Sequence, residues 1–202
     1  MDELLDGYRR FRSEVWPSER ARYEQLARRG QRPKTLIVAC SDSRVDPQTV
    51  FDAAPGELFV VRNVAGLVPP YSPDGVYHGT SAALEFGVRV LKVENIVVLG
   101  HAQCGGVAAM VQGAPAEARD FVEPWMSMGR SVPPPPPDVT DPDAILDHYE
   151  VEIVRLALAN LLTFPWIAEP VAAGQLALHG FRFGIRSGVL SRLGENGLVP
   201  VT

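Results

Sequence analysis

Cysteine is nearly missing from these 202 residues: Cys40 and Cys104 are the only two. A multi-bridge disulfide framework is therefore excluded, and each thiol needs its own explanation, as a ligand or nucleophile in a reducing compartment. Long apolar runs are missing as well. None approaches the ~20 residues that a membrane-spanning helix needs, and the opening, MDELLDGYRR, is acidic with no hydrophobic signal segment. The expectation is a cytoplasmic protein with no membrane partner. Positive charge is not in excess either. Nineteen Lys and Arg stand against 24 Asp and Glu, a net charge of -5, which argues against a nucleic-acid partner and favours a small polar or neutral ligand. The G-x-G-x-x-G turn that a dinucleotide-binding domain places after its first strand is absent; CSDSRV stands there instead.

What is present reads as α/β. The runs KTLIVAC, ELFVVRNVA and ENIVVLGH are short and β-branched without alternation, as expected of strands buried on both faces of a parallel sheet. Between the second and third, GTSAALEFGVRVLKV sets Ala83, Phe86, Val90 and Val93 at helical spacing, giving strand, helix, strand. The length suits one sizeable core, so we expect a helical arm over 1–30 and one α/β domain over 31–202. The arm reads as two helical pieces, with WPS between them and Ser18 as a cap. Later, the proline run Pro133 to Pro137 must be a loop. Val151, Val154, Leu158 and Leu161 mark a helix that ends near TFPW, and QLALHGFRFGI reads as the final strand.

Chemistry gathers at two strand ends. ACSDSR follows TLIV and carries Cys40, Asp42 and Arg44; GHAQCGG follows NIVVL and carries His101 and Cys104 in an H-x-x-C spacing. Ligands of parallel α/β sheets collect outside the carboxyl ends of the strands, so these two ends should be neighbours. Each residue alone has an ordinary explanation: a small buried thiol, a core histidine, a turn that opens a helix. Together they use every cysteine in the chain. Two thiolates and an imidazole with the fourth position left open fit zinc, one ion per chain, in a catalytic rather than a structural site. On an extended segment Asp42 and Arg44 point to the same side as Cys40. They could form a plain salt bridge, or the carboxylate could accept a hydrogen bond from a metal-bound water, or ligate the metal, with Arg44 controlling which.

With both motifs in place the chain resembles the β-class carbonic anhydrases, from about Gln31 to HGFRF and through PGELFVVRNVAGLVPP, HGTSAALEFGV and NLLTFPWI. The resemblance implies a mainly parallel central sheet flanked by helices, with an N-terminal helical arm that embraces a partner in a homodimer or dimer of dimers. It implies zinc-dependent, reversible hydration of CO2 to bicarbonate and a proton. Cys40, His101 and Cys104 would bind the zinc and Asp42 and Arg44 would be a gating dyad. Gly105 would offer backbone near the substrate, Phe59 and Val64 would line the CO2 pocket, and Gln31 would act across the dimer interface. Tyr77 and His78 are candidate proton relays. Ile37 and Phe183 stand where a bicarbonate-inhibited subclass has tryptophan and tyrosine, although Arg62 is kept, so that control is not expected. Gly66 and Gly184 also depart from relatives, leaving loop geometry open there. The rival functions are turnover of CS2 or COS on the same fold, and an inactive zinc-stabilised binding protein.

Overall fold

The computed structural model describes residues 1–202. Its centre is a sheet of six strands, β1 (Thr35–Cys40), β2 (Leu58–Asn63), β3 (Asn95–His101), β4 (Ala177–Phe183), β5 (Leu190–Gly194) and β6 (Gly197–Pro200), in the order β2-β1-β3-β4-β5-β6. The first four pair in parallel and the last two antiparallel. Leu36, Val38, Ile96 and Val98 face one way, against Leu84, Val154, Ala157, Leu161 and Phe164. Ile37, Ala39, Val97 and Leu99 face the other way with Val45. Both faces of β1 and β3 are thus covered, which is why their sequences show no alternation. β2 is an edge strand and only half-buried throughout.

Three expectations need correcting. QLALHGFRFGI is not the last strand. The hairpin β5–β6 follows it, closed at Gly194 opposite Gly197 with only Glu195 and Asn196 between, and its signal, ENG between two short apolar pieces, is brief. The arm is not broken at WPS: α1 (Asp2–Arg10), a π-helical turn (Phe11–Val15) and α2 (Trp16–Arg29) follow without a gap. Pro17 sits in the first turn of α2, where no amide donor is needed, and Ser18 Oγ donates back to the Val15 carbonyl at 2.8 Å instead of capping. None of these three helical pieces buries a residue. After α3 (Pro47–Val50), the helix α4 (Gly79–Glu85) also turns a different face inward than its spacing suggests. It widens into a π-helical stretch, Phe86–Leu91, and the extra residue per turn shifts the phase. Leu84 and Gly87 are buried, while Phe86 and Val90 are 43% and 60% exposed.

The rest follows α5 (Gly105–Gln112), α6 (Val122–Met126), α7 (Pro142–Leu161) and α8 (Pro165–Ala172). The proline run is a loop without regular structure, as expected. Asp141 caps α7 by accepting from Ala144 N at 3.0 Å, and α7 buries Glu150, Ile153, Val154, Ala157 and Leu161, leaving Val151 and Leu158 half-buried. No single helix is long and apolar enough to cross a membrane.

How close α7 lies to the sheet is set by two glycines on adjacent strands. A Cβ on Gly100 would fall 2.6 Å from Val154 Cγ2, and one on Gly180 would fall 2.9 Å from Val154 Cγ1. Both are closer than carbon atoms tolerate, so any side chain there must push α7 outward. We expect Gly100→Ala to destabilise the protein by about 1–3 kcal/mol, the usual consequence of overpacking a core. Urea denaturation checks this.

Candidate metal centre

Parallel pairing of β1 with β3 runs in register from Thr35 opposite Asn95 to Ala39 opposite Leu99, which brings Cys40 level with the last residues of β3. His101 ends β3, and after a short turn Cys104 sits at the N-terminal cap of α5. The ligand atoms of Cys40, His101 and Cys104 all lie within 4.8 Å of one another, and all three residues are buried. The two sulfurs are 4.0 Å apart. His101 Nδ1 donates to the Ala102 carbonyl at 2.8 Å, which leaves Nε2 buried without a hydrogen-bond partner. A buried imidazole nitrogen with no partner, facing two thiols, is the donor set a thiophilic cation takes up.

The electrostatics agree. The hydrogen bond between the thiols pulls Cys40 down, against burial and helped by His101; the same bond, with burial, pushes Cys104 up. The pair shares a proton, and a cation between the sulfurs would let both ionise. Amides of Gly106 and Val107 at the start of α5 favour the ionised form of Cys104. Burial works against a charged His101, but the nearby Cys40 sulfur, the Ala102 carbonyl and the Asp42 carboxylate favour the charged form and leave the pKa raised.

Asp42 and Arg44 are paired beside this cluster, though not on an extended segment. The chain turns, so that Arg44 N donates to Asp42 Oδ1 at 2.9 Å while the guanidinium grips both carboxylate oxygens, Nε to Oδ1 at 2.9 Å and Nη2 to Oδ2 at 2.6 Å. This grip holds the Asp42 carboxyl well below the usual carboxylate range. Asp42 Oδ2 is 3.9 Å from His101 Nε2, so the carboxylate borders the cluster. Arg44 Nη2 also donates to the Gln103 carbonyl at 3.0 Å. Arg62 holds the same loop from beneath, donating to the carbonyls of Cys40, Asp42 and Val45 at 2.9, 2.6 and 3.1 Å.

Val64 and Gly105 lie beside the ligands. A Cβ on neighbouring Gly106 would meet Val64 Cγ1 at 2.8 Å, whereas one on Gly105 would meet open space. Gly66 has a left-handed φ of 63° and lies against the backbone of Ala39 and Cys40, a conformation that asparagine also adopts. A single chain does not bring Gln31 or Phe59 to its own cysteines. Gln31 precedes β1, at the end opposite Cys40. Phe59 pairs with Leu36, four residues before the Cys40–Asn63 pair, about 13 Å back along the strand, where its ring packs on Phe86 at 5.8 Å. Tyr77 and His78 line a cavity of about 620 Å³ together with Asn63, Val64 and Trp125, and His78 Nε2 is 2.7 Å from Asp74 Oδ1. No sequence motif points to Glu150, which is only 2% exposed and accepts the Cys104 amide at 3.0 Å. Burial raises its pKa despite that bond and its pairing with Arg182.

Known proteins resemble this chain in sequence and in fold. A family model for carbonic anhydrase matches residues 35–190. The chain is 37% identical over 199 residues to a carbonic anhydrase of Pseudomonas aeruginosa, covering 96% of this chain and 87% of that one. The chain belongs to the β-carbonic anhydrase family. Beta carbonic anhydrase 5, chloroplastic, of Arabidopsis thaliana is 38% identical over 183 residues, covering 89% of this chain and 60% of that relative's length. In structure, the β-carbonic anhydrase CcaA superposes with a TM-score of 0.89 at 28% identity, over 100% of this chain and 92% of that one. Hydration of CO2 is the general reaction of this family. Replacing Cys104 with Ser should abolish zinc retention, since a hydroxyl does not supply the thiolate; elemental analysis of the purified variant reads this directly.

Proposed function

We propose that this chain catalyses the reversible hydration of CO2 to bicarbonate and a proton, with one zinc ion held by Cys40, His101 and Cys104. The observation that carries the proposal is the buried cluster of two sulfurs and one unpartnered imidazole nitrogen, bordered by a carboxylate that a guanidinium holds in place. Zinc would supply Lewis acidity there, lowering the pKa of a water far below that of bulk water.

The chain's own groups do the rest. Asp42, ionised throughout the working range, accepts a hydrogen bond and cannot donate one, so it orients a water by its proton. Arg44 keeps that carboxylate turned toward itself and, through the Gln103 carbonyl, ties it to the turn that carries Cys104. Val64 offers an apolar wall, which is all that an uncharged, linear substrate needs. Gly105 leaves its side of the site open. Stopped-flow CO2 hydration on protein of measured zinc content tests the proposal. Zinc-loaded protein that leaves CO2 untouched, or that turns over only CS2 or COS, would refute it. Arg44→Ala should reduce activity about 10- to 100-fold, as loss of an orienting partner does at metal sites, with zinc still bound.

The assembly is part of the same proposal. Gln31 and Phe59 can reach a metal centre only from a second copy, because their own lies at the far end of β1 and β2. The β2 edge is unpaired, and the arm exposes Leu4, Leu5, Tyr8 and Val15. Both features suit a homodimer or a dimer of dimers. The β-carbonic anhydrases of Sordaria macrospora, 26% identical with a TM-score of 0.71, are described as tetrameric. Deleting residues 1–29 should give a monomer or an aggregate without activity; light scattering coupled to size exclusion distinguishes these from an intact oligomer.

A further inference from the structure

Glu150 belongs to neither sequence motif, yet its carboxylate lies directly beneath the metal centre. Oε1 accepts the amide of Cys104 at 3.0 Å. Oε2 accepts from Arg182 Nε at 3.0 Å and Nη2 at 2.6 Å, and Arg182 also pairs with Asp147 at the surface. Arg182 stands on β4 directly opposite Gly100 of β3. One chain of contacts therefore runs from the sheet through a buried ion pair to the backbone of a metal ligand.

We propose that Glu150, clamped by Arg182, is a positioning residue for metal retention: it fixes the backbone of Cys104 and with it the direction of the sulfur. This rests on the assignment of Cys40, His101 and Cys104 as the zinc ligands. The turn that carries Cys104 needs an external restraint, because Gln103 has a φ of 56°, a conformation that non-glycine residues hold only when their surroundings enforce it. Two contacts enforce it. Arg44 holds the Gln103 carbonyl from the solvent side, and Glu150 holds the next amide from the buried side. The Cys104 amide is also one of the donors that a helix start leaves unpaired. With that donor held by Glu150, the following amides of α5 are free to serve the sulfur. A neutral acceptor could satisfy the amide, but it would leave the Arg182 guanidinium, nearly buried, with no counter-charge on its buried side and only the exposed Asp147 outside. Only a carboxylate meets both demands. It reaches this far because α7 lies close over Gly100 and Gly180 one turn later, at Val154.

The test uses the full-length protein, the near-isosteric variant Glu150→Gln, and Arg182→Lys, which keeps the charge but loses the forked grip. Zinc affinity and zinc release are measured by competition with a chromophoric chelator, the thiolate-to-metal absorption is recorded after cobalt substitution, and circular dichroism establishes folding at the assay temperature. Glu150→Gln should bind zinc about 10- to 100-fold more weakly, release it faster and shift the cobalt absorption while remaining folded. Arg182→Lys should move the same readouts in the same direction by less. Should Glu150→Gln fail to fold, Arg182→Lys carries the test alone. Folded variants with wild-type zinc affinity, release rate and cobalt spectrum would reduce Glu150 to a fold-stabilising ion pair and overturn the proposal. A wild-type chain that binds no zinc would instead overturn the ligand assignment, and the proposal with it.

Discussion

The structure depends on the parallel pairing of β1 with β3. That ladder sets Ala39 against Leu99, and because both strands run the same way, their carboxyl ends stop at the same edge. Cys40 and His101 are 61 positions apart in sequence and adjacent in space for this reason alone. A shift of one residue would turn every side chain to the opposite face and separate the sulfur from the imidazole. Register is protected because each face buries its own apolar set, Leu36, Val38, Ile96 and Val98 on one side and Ile37, Ala39, Val97 and Leu99 on the other. The same burial that stabilises the fold therefore aligns Cys40 with His101 and Cys104.

Beyond the ladder, the site is held by charged groups whose hydrogen bonds are spent inside the protein. Arg62 donates to three carbonyls of the loop after Cys40, Arg44 bridges Asp42 and the Gln103 carbonyl, and Arg182 grips Glu150. Planar guanidinium groups suit this work because several fixed donors leave one side chain at once. The most buried of the three also carries the largest consequence: removing one partner of a buried ion pair typically destabilises by about 3–5 kcal/mol, because the remaining charge is stranded away from water. Such groups tie the loops around the site to the strands they leave.

The arm and the β2 edge have a different character. They bury little within one chain, and the residues there that the family resemblance assigns to the site, Gln31 and Phe59, lie at the amino end of the sheet while the metal cluster lies at the carboxyl end. Within one copy the cluster of Cys40, His101 and Cys104 is therefore complete, while Gln31 and Phe59 lie at the other end of the sheet.

The residue pattern by itself determined the cluster of Cys40, His101 and Cys104, the Asp42 and Arg44 pair, and the parallel strands that bring them together, because each of these is local: a run of β-branched residues, or a motif of a few positions at its end. It also placed the proline loop and the end of α7, where proline chemistry acts on its immediate neighbours. Tertiary structure decided the rest. The inward face of α4 depends on a widened turn and on Gly87 meeting Leu36, and the unbroken arm depends on Pro17 falling in a first turn. The hairpin after β4 needed only a two-residue loop. Glu150 is the clearest case, since on the sequence it is one glutamate in HYEVEIV, indistinguishable from Glu152, which follows it by two positions. Only the packing of α7 across Gly100 and Gly180 buries the first of these beside Cys104 and Arg182, and no local periodicity encodes where a helix will rest on a sheet.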